Sequence, residues 1–242
     1  MRGQVVDTPS AQEFMAEILR RAPEQELAVV AGELETKSAG MRALLGSPEP
    51  VAGPEDLRRV LRSVFATRRR ADAVVGSVGP ERLAAEVARL LHGSDDLPAR
   101  FARFLEPLEG FPGVGCDLAS ELLHHTFPDR YWLWTRWVWD PRTETGALPL
   151  VTMEEVDLAA ASPAETYLRV GEAVAFLDET GKAAGFTAMG RGLFGLDVFL
   201  ACVYAVYMYT VLRLRMTQEF NRIVPELPAL VRRLLGTHRL EV

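Results

Sequence analysis

Apolar residues recur at three- and four-residue intervals along most of the chain, the spacing that puts them on one face of a helix. Ser10 precedes "AQEFMAEILRRA", where Phe14, Ile18 and Leu19 keep this register until Pro23 stops it. "EQELAVVAGELE" repeats the pattern more weakly, and "GSPEPVAGP" at 46–54 reads as a loop. Pro54 suits the first position of a helix over "PEDLRRVLRSVFATRRR", with Leu57, Val60, Leu61, Val64 and Phe65 on one face. Gly79-Pro80 opens the next, in which Leu83, Val87, Leu90 and Leu91 are in register and Gly93 is the stop. "SDDLPARFARFLEPLEG" predicts one more.

Further along, "TMEEVDLAAA" reads as a capped helix, with Thr152 at the N-cap and Glu155 three residues on. "SPAETYLRVGEAVAFLDETG" begins with Ser162 as cap and Pro163 at the first helical position. "ALVRRLLG" is a short last helix beyond Pro225 and Pro228. No segment alternates apolar and polar residues between turn signals, and no repeat of fixed length is present. The expectation is an all-α fold, a single domain over 1–242.

Residues 193–212 are nearly apolar and approach the length of a membrane span. Asp197 lies inside and Tyr204, Tyr207 and Tyr209 crowd the second half, so the segment reads as the buried central helix of an all-α protein, not a membrane span.

Composition narrows the class. The chain has 242 residues and a net charge of −6, which opposes indiscriminate binding to nucleic acid. Its basic residues are arginines apart from Lys37 and Lys182, and arginine suits planar carboxylate and phosphate partners. Cys116 and Cys202 lack the spacing of a zinc site or an iron–sulfur cluster. Reduced cysteines and the absence of a signal-peptide pattern predict a cytoplasmic protein.

One stretch carries more information: "LEGFPGVGCDLASELLHHTFPDRYWLWTRWVWDP", residues 108–141. Gly113 and Gly115 bracket Val114, so the backbone can turn tightly between two helices. The amides that open the second helix would face an anion. Ala119 permits close approach of the helices, and Leu118, Leu122 and Leu123 supply the apolar face.

Phe111, Pro112, Gly113, Val114, Gly115, Ala119, Leu122 and Leu123, followed by a loop containing Phe-Pro, resemble the helix-hairpin-helix superfamily of DNA glycosylases. The likeness covers roughly residues 100–140, with the motif at 105–127. It implies two helical lobes with the hairpin at the cleft. It also implies hairpin amides that hold a DNA phosphate, often beside a monovalent cation on hairpin carbonyls. Gly113, Val114 and Gly115 would then contact nucleic acid, helped by arginines such as Arg103, Arg130 and Arg136.

The departures concern chemistry. The family's catalytic Asp, at the start of the next helix, falls on Thr135, and the Lys of its bifunctional members falls on Asp117, which would repel phosphate. The resemblance therefore implies a glycosylase-like fold without glycosylase catalysis: a DNA-binding protein of repair or defence. An accessory subunit that binds a protein partner through its Trp- and Tyr-rich surface is the alternative. A hydrolase using Asp129, Asp140 or Glu121 is a third.

Other groups are less specific. His124 and His125 are adjacent, so they do not share a helix face, and a helix C-terminus would favour their charged form. Trp132, Trp134, Trp137 and Trp139 could stack on bases, but at helical spacing they cannot all face one way. Arg58, Arg59, Arg62, Arg68, Arg69 and Arg70 could meet phosphates; as a solvated face they are partly balanced by Glu55, Asp56 and Asp72.

Overall fold

The computed structural model describes residues 4–48, 53–184, 192–215 and 225–238, with the backbone alone for 212–215. Among these residues the chain is all-helical. In order the helices are α1 (Thr8–Arg21), α2 (Glu24–Leu45), α3 (Pro54–Ser63), α4 (Ala71–Val78), α5 (Pro80–His92), α6 (Leu97–Leu105), α7 (Gly115–Thr126), α8 (Pro163–Ala184), α9 (Gly195–Arg215) and α10 (Leu227–Leu235). The loop expected at 46–54 lies partly outside the described residues.

Local chemistry accounts for most helix starts. Asp96 accepts the Ala99 amide at 2.8 Å to cap α6. Ser162 does the same for α8 through Glu165 at 3.2 Å, with Pro163 first in the helix. Asp7, not Ser10, caps α1: it accepts the Ser10 amide at 3.2 Å, and Ser10 lies inside the helix.

The chain divides into two compact units. Among the described residues, one comprises 4–34, 137–157, 172–184, 192–215 and 225–238; the other comprises 35–48, 53–136 and 158–171. In the first, α9 packs on α1 and α10. Val198, Phe199, Leu200, Ala201, Cys202 and Val203 of α9 are all buried. Asp197 is buried there too. Tyr209 finds a partner for its hydroxyl in the Pro225 carbonyl at 2.6 Å. No helix among the described residues is long and apolar enough to cross a membrane. In the second unit α3, α4, α5, α6 and α7 pack together.

Three expectations are corrected. The basic helix starting at Pro54 ends at Ser63, because the chain turns extended at Val64 and the buried Thr67 hydroxyl donates to the Leu61 carbonyl at 2.5 Å. Residues 152–161 form no helix. The Met153 amide donates to the Val5 carbonyl at 2.9 Å, and Val6 bridges Thr152, so pairing with the N-terminal segment replaces helical bonds. Thr152 is therefore no N-cap; its hydroxyl donates back to Leu148 at 3.0 Å. Thirdly, α2 runs ten residues beyond the expected segment, burying Leu27, Val30, Leu34, Met41 and Leu45 on one stripe.

Candidate nucleic-acid interface

α6 continues into a 3₁₀ turn at Glu106–Leu108, and residues 109–114 reverse the chain into α7. The Phe111 amide donates to Leu108 at 2.9 Å and the Val114 amide to Phe111 at 3.1 Å, which fixes the bend. Gly113 sits at φ 73°, a left-handed conformation that favours glycine. Gly115 opens α7, where an added Cβ would lie 3.0 Å from Leu105 Cδ2, so the bare backbone allows α6 and α7 to meet. Pro112 and Gly113 are exposed, whereas the Val114 side chain is buried in the core. Only the backbone of Val114 is presented at the turn.

Every residue of α7 from Asp117 to Thr126 is buried, and its polar residues divide between two faces. Asp117, Ser120 and His124, spaced three and four apart, hold residues 131–136 in an antiparallel run along the helix. His124 Nδ1 lies 2.8 Å from the Tyr131 carbonyl. The Ser120 hydroxyl donates to Trp132 at 3.3 Å and accepts the Trp134 amide at 2.5 Å. Asp117 accepts the Arg136 amide on Oδ1 and Arg136 Nε on Oδ2, both at 3.2 Å. These side chains supply the hydrogen bonds that a helix would have made internally, so no helix opens at Thr135.

This run carries Arg136 to the hairpin turn. Its guanidinium lies where a side chain on Gly113 would stand, and the side chain is 48% exposed. Arg70, also exposed, donates to the Pro112 carbonyl at 3.4 Å from the other side of the sequence. Among the described residues no side chain caps the start of α7. The structure thus brings together Gly113, Gly115, Arg136 and Arg70. Sequence reading counted Arg70 only among a basic run.

Arg130 is not part of this group. It follows the opposite end of α7, about 18 Å away by helical rise, with its guanidinium over the rings of Phe127 and Tyr131. Arg103 is drawn to Glu86, 3.7 Å away. Arg58, Arg59 and Arg62 pair with Glu55, Asp56 and Asp72 at 3.1–3.6 Å, so the basic face of α3 is largely balanced.

The tryptophans form no common stacking surface. Trp134, Trp137 and Trp139 are buried. Trp132 is half-buried, stacked on Tyr167 with ring centres 4.7 Å apart, and its Nε1 donates to the Tyr167 carbonyl at 2.8 Å. The Tyr167 hydroxyl returns a bond to the Trp132 carbonyl at 3.0 Å. Bare Gly171 leaves room for the Trp132 indole.

The other face of α7 carries Glu121 and His125. Lys37 Nζ lies 2.7 Å from Glu121 Oε2, and His125 Nε2 lies 3.1 Å from the same oxygen. The Ser38 hydroxyl donates to the His125 carbonyl at 2.7 Å. Burial alone would raise the Glu121 carboxyl, but the Lys37 charge and the His125 contact hold it well below the carboxylate range. Burial and the Lys37 charge push His125 down to about 4. Against the expectation of charged histidines at a helix end, burial and the Lys37 charge favour the neutral form of His125. Lys37 was missed as a member of this cluster.

The carboxylates considered for hydrolysis stand in different local settings. Asp129 is exposed, Glu121 is sealed by Lys37, and Asp140 accepts the Arg142 amide at 3.0 Å within its own turn. The Thr135 hydroxyl is buried and has no hydrogen-bond partner among the described residues. Among the described residues no cluster of His, Cys, Asp or Glu could hold a metal ion. No protein-family model, curated protein or solved structure matches the chain.

Proposed function

We propose that the turn at 111–115 is a phosphate-binding hairpin of the helix-hairpin-helix glycosylase type, in a nucleic-acid-binding protein without base-excision chemistry. The observation that carries this reading is the placement of Arg136 across Gly113, with Arg70 on the adjoining Pro112 carbonyl, at the uncapped start of α7. Guanidinium groups and the first amides of a helix are complementary to phosphate oxygens. Asp117, which by sequence would repel a phosphate, is buried and bonded to Arg136. The Phe111 carbonyl accepts the Val114 amide and the Pro112 carbonyl accepts Arg70, so an arginine brings positive charge to the place where the resemblance implies a monovalent cation.

The absence of excision chemistry in this proposal rests on Thr135, a buried hydroxyl where the resemblance calls for a carboxylate. The accessory-protein alternative keeps less of the Trp- and Tyr-rich surface it invokes, since Trp134, Trp137 and Trp139 are core residues. An electrophoretic shift titration with duplex and single-stranded DNA at two salt concentrations tests the proposal. Binding that weakens with salt is expected, because each phosphate contact releases counterions. No shift at micromolar protein and low salt would refute it.

A further inference from the structure

We infer that the Asp117–Arg136 pair is a proton-controlled gate on this turn: the ionised carboxylate holds the guanidinium as its counter-ion, and the protonated carboxyl releases it to a phosphate. The inference rests on the nucleic-acid reading above and adds a regulation to it. Its basis is the unequal burial of one ion pair. Asp117 is 4% exposed and uses both oxygens on Arg136. The Arg136 side chain is half in solvent, lying over exposed Gly113. The acid is therefore inaccessible to any ligand, while its partner faces the surface where a ligand would dock. Protonating Asp117 changes the charge at the turn by one.

The surroundings favour such a change at physiological pH. Burial pushes the Asp117 carboxyl up to about 7, against the downward pull of Arg136. Glu121, one helical turn along, adds to the rise, although Lys37 and His125 are its immediate partners. Cys116 stays a neutral thiol, raised to about 11 chiefly by burial. On the helices packed against α7, Glu86 of α5 is paired with Arg89 and with Arg103 of α6. Arg100 of α6 is turned to the Leu90 carbonyl and the Tyr131 hydroxyl. The direction of linkage is fixed by these facts. A bound phosphate draws on Arg136 and favours the neutral carboxyl, so binding takes up a proton and tightens as pH falls.

The test is fluorescence anisotropy of a labelled short DNA duplex at constant ionic strength, with wild type and Asp117→Asn. Wild-type affinity is expected to rise about threefold to tenfold from about pH 8 to about pH 6, the span of a single coupled protonation. Asp117→Asn keeps an oxygen for the Arg136 amide but carries no charge. It should bind as wild type does at low pH and lose the pH dependence. The wild-type profile persisting in Asp117→Asn, or binding by wild type that ignores pH, would overturn the gate while leaving the nucleic-acid reading intact. Absence of binding in both proteins at every pH would sink that reading and the gate with it. Carbon-detected NMR titration of the free wild type guards against a folding defect in the variant. The Asp117 carboxyl should titrate near neutrality, and a midpoint in the ordinary carboxylate range refutes the gate.

Discussion

Lys37 Nζ and Glu121 Oε2 meet at 2.7 Å across 84 positions of sequence, with both side chains 1% exposed. The pair ties α2 to the second helix of the hairpin. Lys37→Met should cost about 3–5 kcal/mol, because it strands a buried carboxylate. Lys37→Met with Glu121→Leu should recover most of that loss, since two apolar groups need no compensation. Urea unfolding midpoints of the two variants check this; equal destabilisation by both would show that the pair itself, not an orphaned charge, matters.

Acid should weaken the fold through His125. Its folded-state value lies near 4 against 6.5 for the free group, so the unfolded chain takes up the proton first. Stability from this group is complete above about pH 6.5 and falls as pH drops toward 4. Asp117 has the opposite sign. Its raised value means that the folded state takes up a proton as pH falls through about 7, which offsets part of the loss. Thermal melts across this range should therefore show a steeper acid decline in Asp117→Asn and a shallower one in His125→Gln.

Gly171→Ala should displace Trp132. A Cβ at this position would overlap the indole ring, which is bonded to the Tyr167 carbonyl and stacked on its ring. A cost of about 1–3 kcal/mol is expected for such overpacking. Trp132→Leu made together with Gly171→Ala should be less destabilised than the two changes summed, because the first removes the clash. Additive effects in a double-mutant cycle would deny that the glycine exists for the ring.

The helices were largely legible because capping residues and apolar spacing agree at their starts, as with Ser162 and Pro163 in α8. What escaped was set by long-range polar contacts. Lys37 stands between Leu34 and Met41 on the buried stripe of α2, a charged residue in core register, and that anomaly was the available signal. Asp117, Ser120 and His124 likewise form a polar stripe on a buried helix. Its partners are backbone groups of residues 131–136, which no side-chain pattern announces. The expected helix at 152–161 failed for the same reason, since its capping signature was overridden by pairing with Val5 and Val6.

Gly113→Ala should lower DNA affinity without unfolding the protein. The position has φ 73°, and its side-chain space is occupied by the Arg136 guanidinium. A methyl group strains the turn by about 1 kcal/mol and pushes Arg136 aside. Loss of one charge-assisted phosphate contact predicts roughly a tenfold weaker complex. Unchanged anisotropy titrations, alongside an unchanged circular dichroism spectrum, would place the binding surface elsewhere.

Thr135→Val should stabilise the protein. The residue is 2% exposed and its hydroxyl has no hydrogen-bond partner among the described residues. Burying an unpaired hydroxyl costs about 1–3 kcal/mol, and valine fills nearly the same volume without it. A gain of about 1 kcal/mol in urea unfolding is therefore expected, with duplex binding unaltered. A loss of stability would instead show that the hydroxyl is satisfied by an ordered water. Thr135→Asp supplies the contrast. It restores the carboxylate that the hairpin resemblance calls for at this position, but buries it where the described structure gives Thr135 Oγ1 no donor. That variant should be strongly destabilised and should release no base from uracil-containing, oxidised or alkylated duplex. Base release above an enzyme-free control by this variant alone would mean that Thr135 lines a reactive site and not the core; release by wild type would mean that another residue supplies the carboxylate.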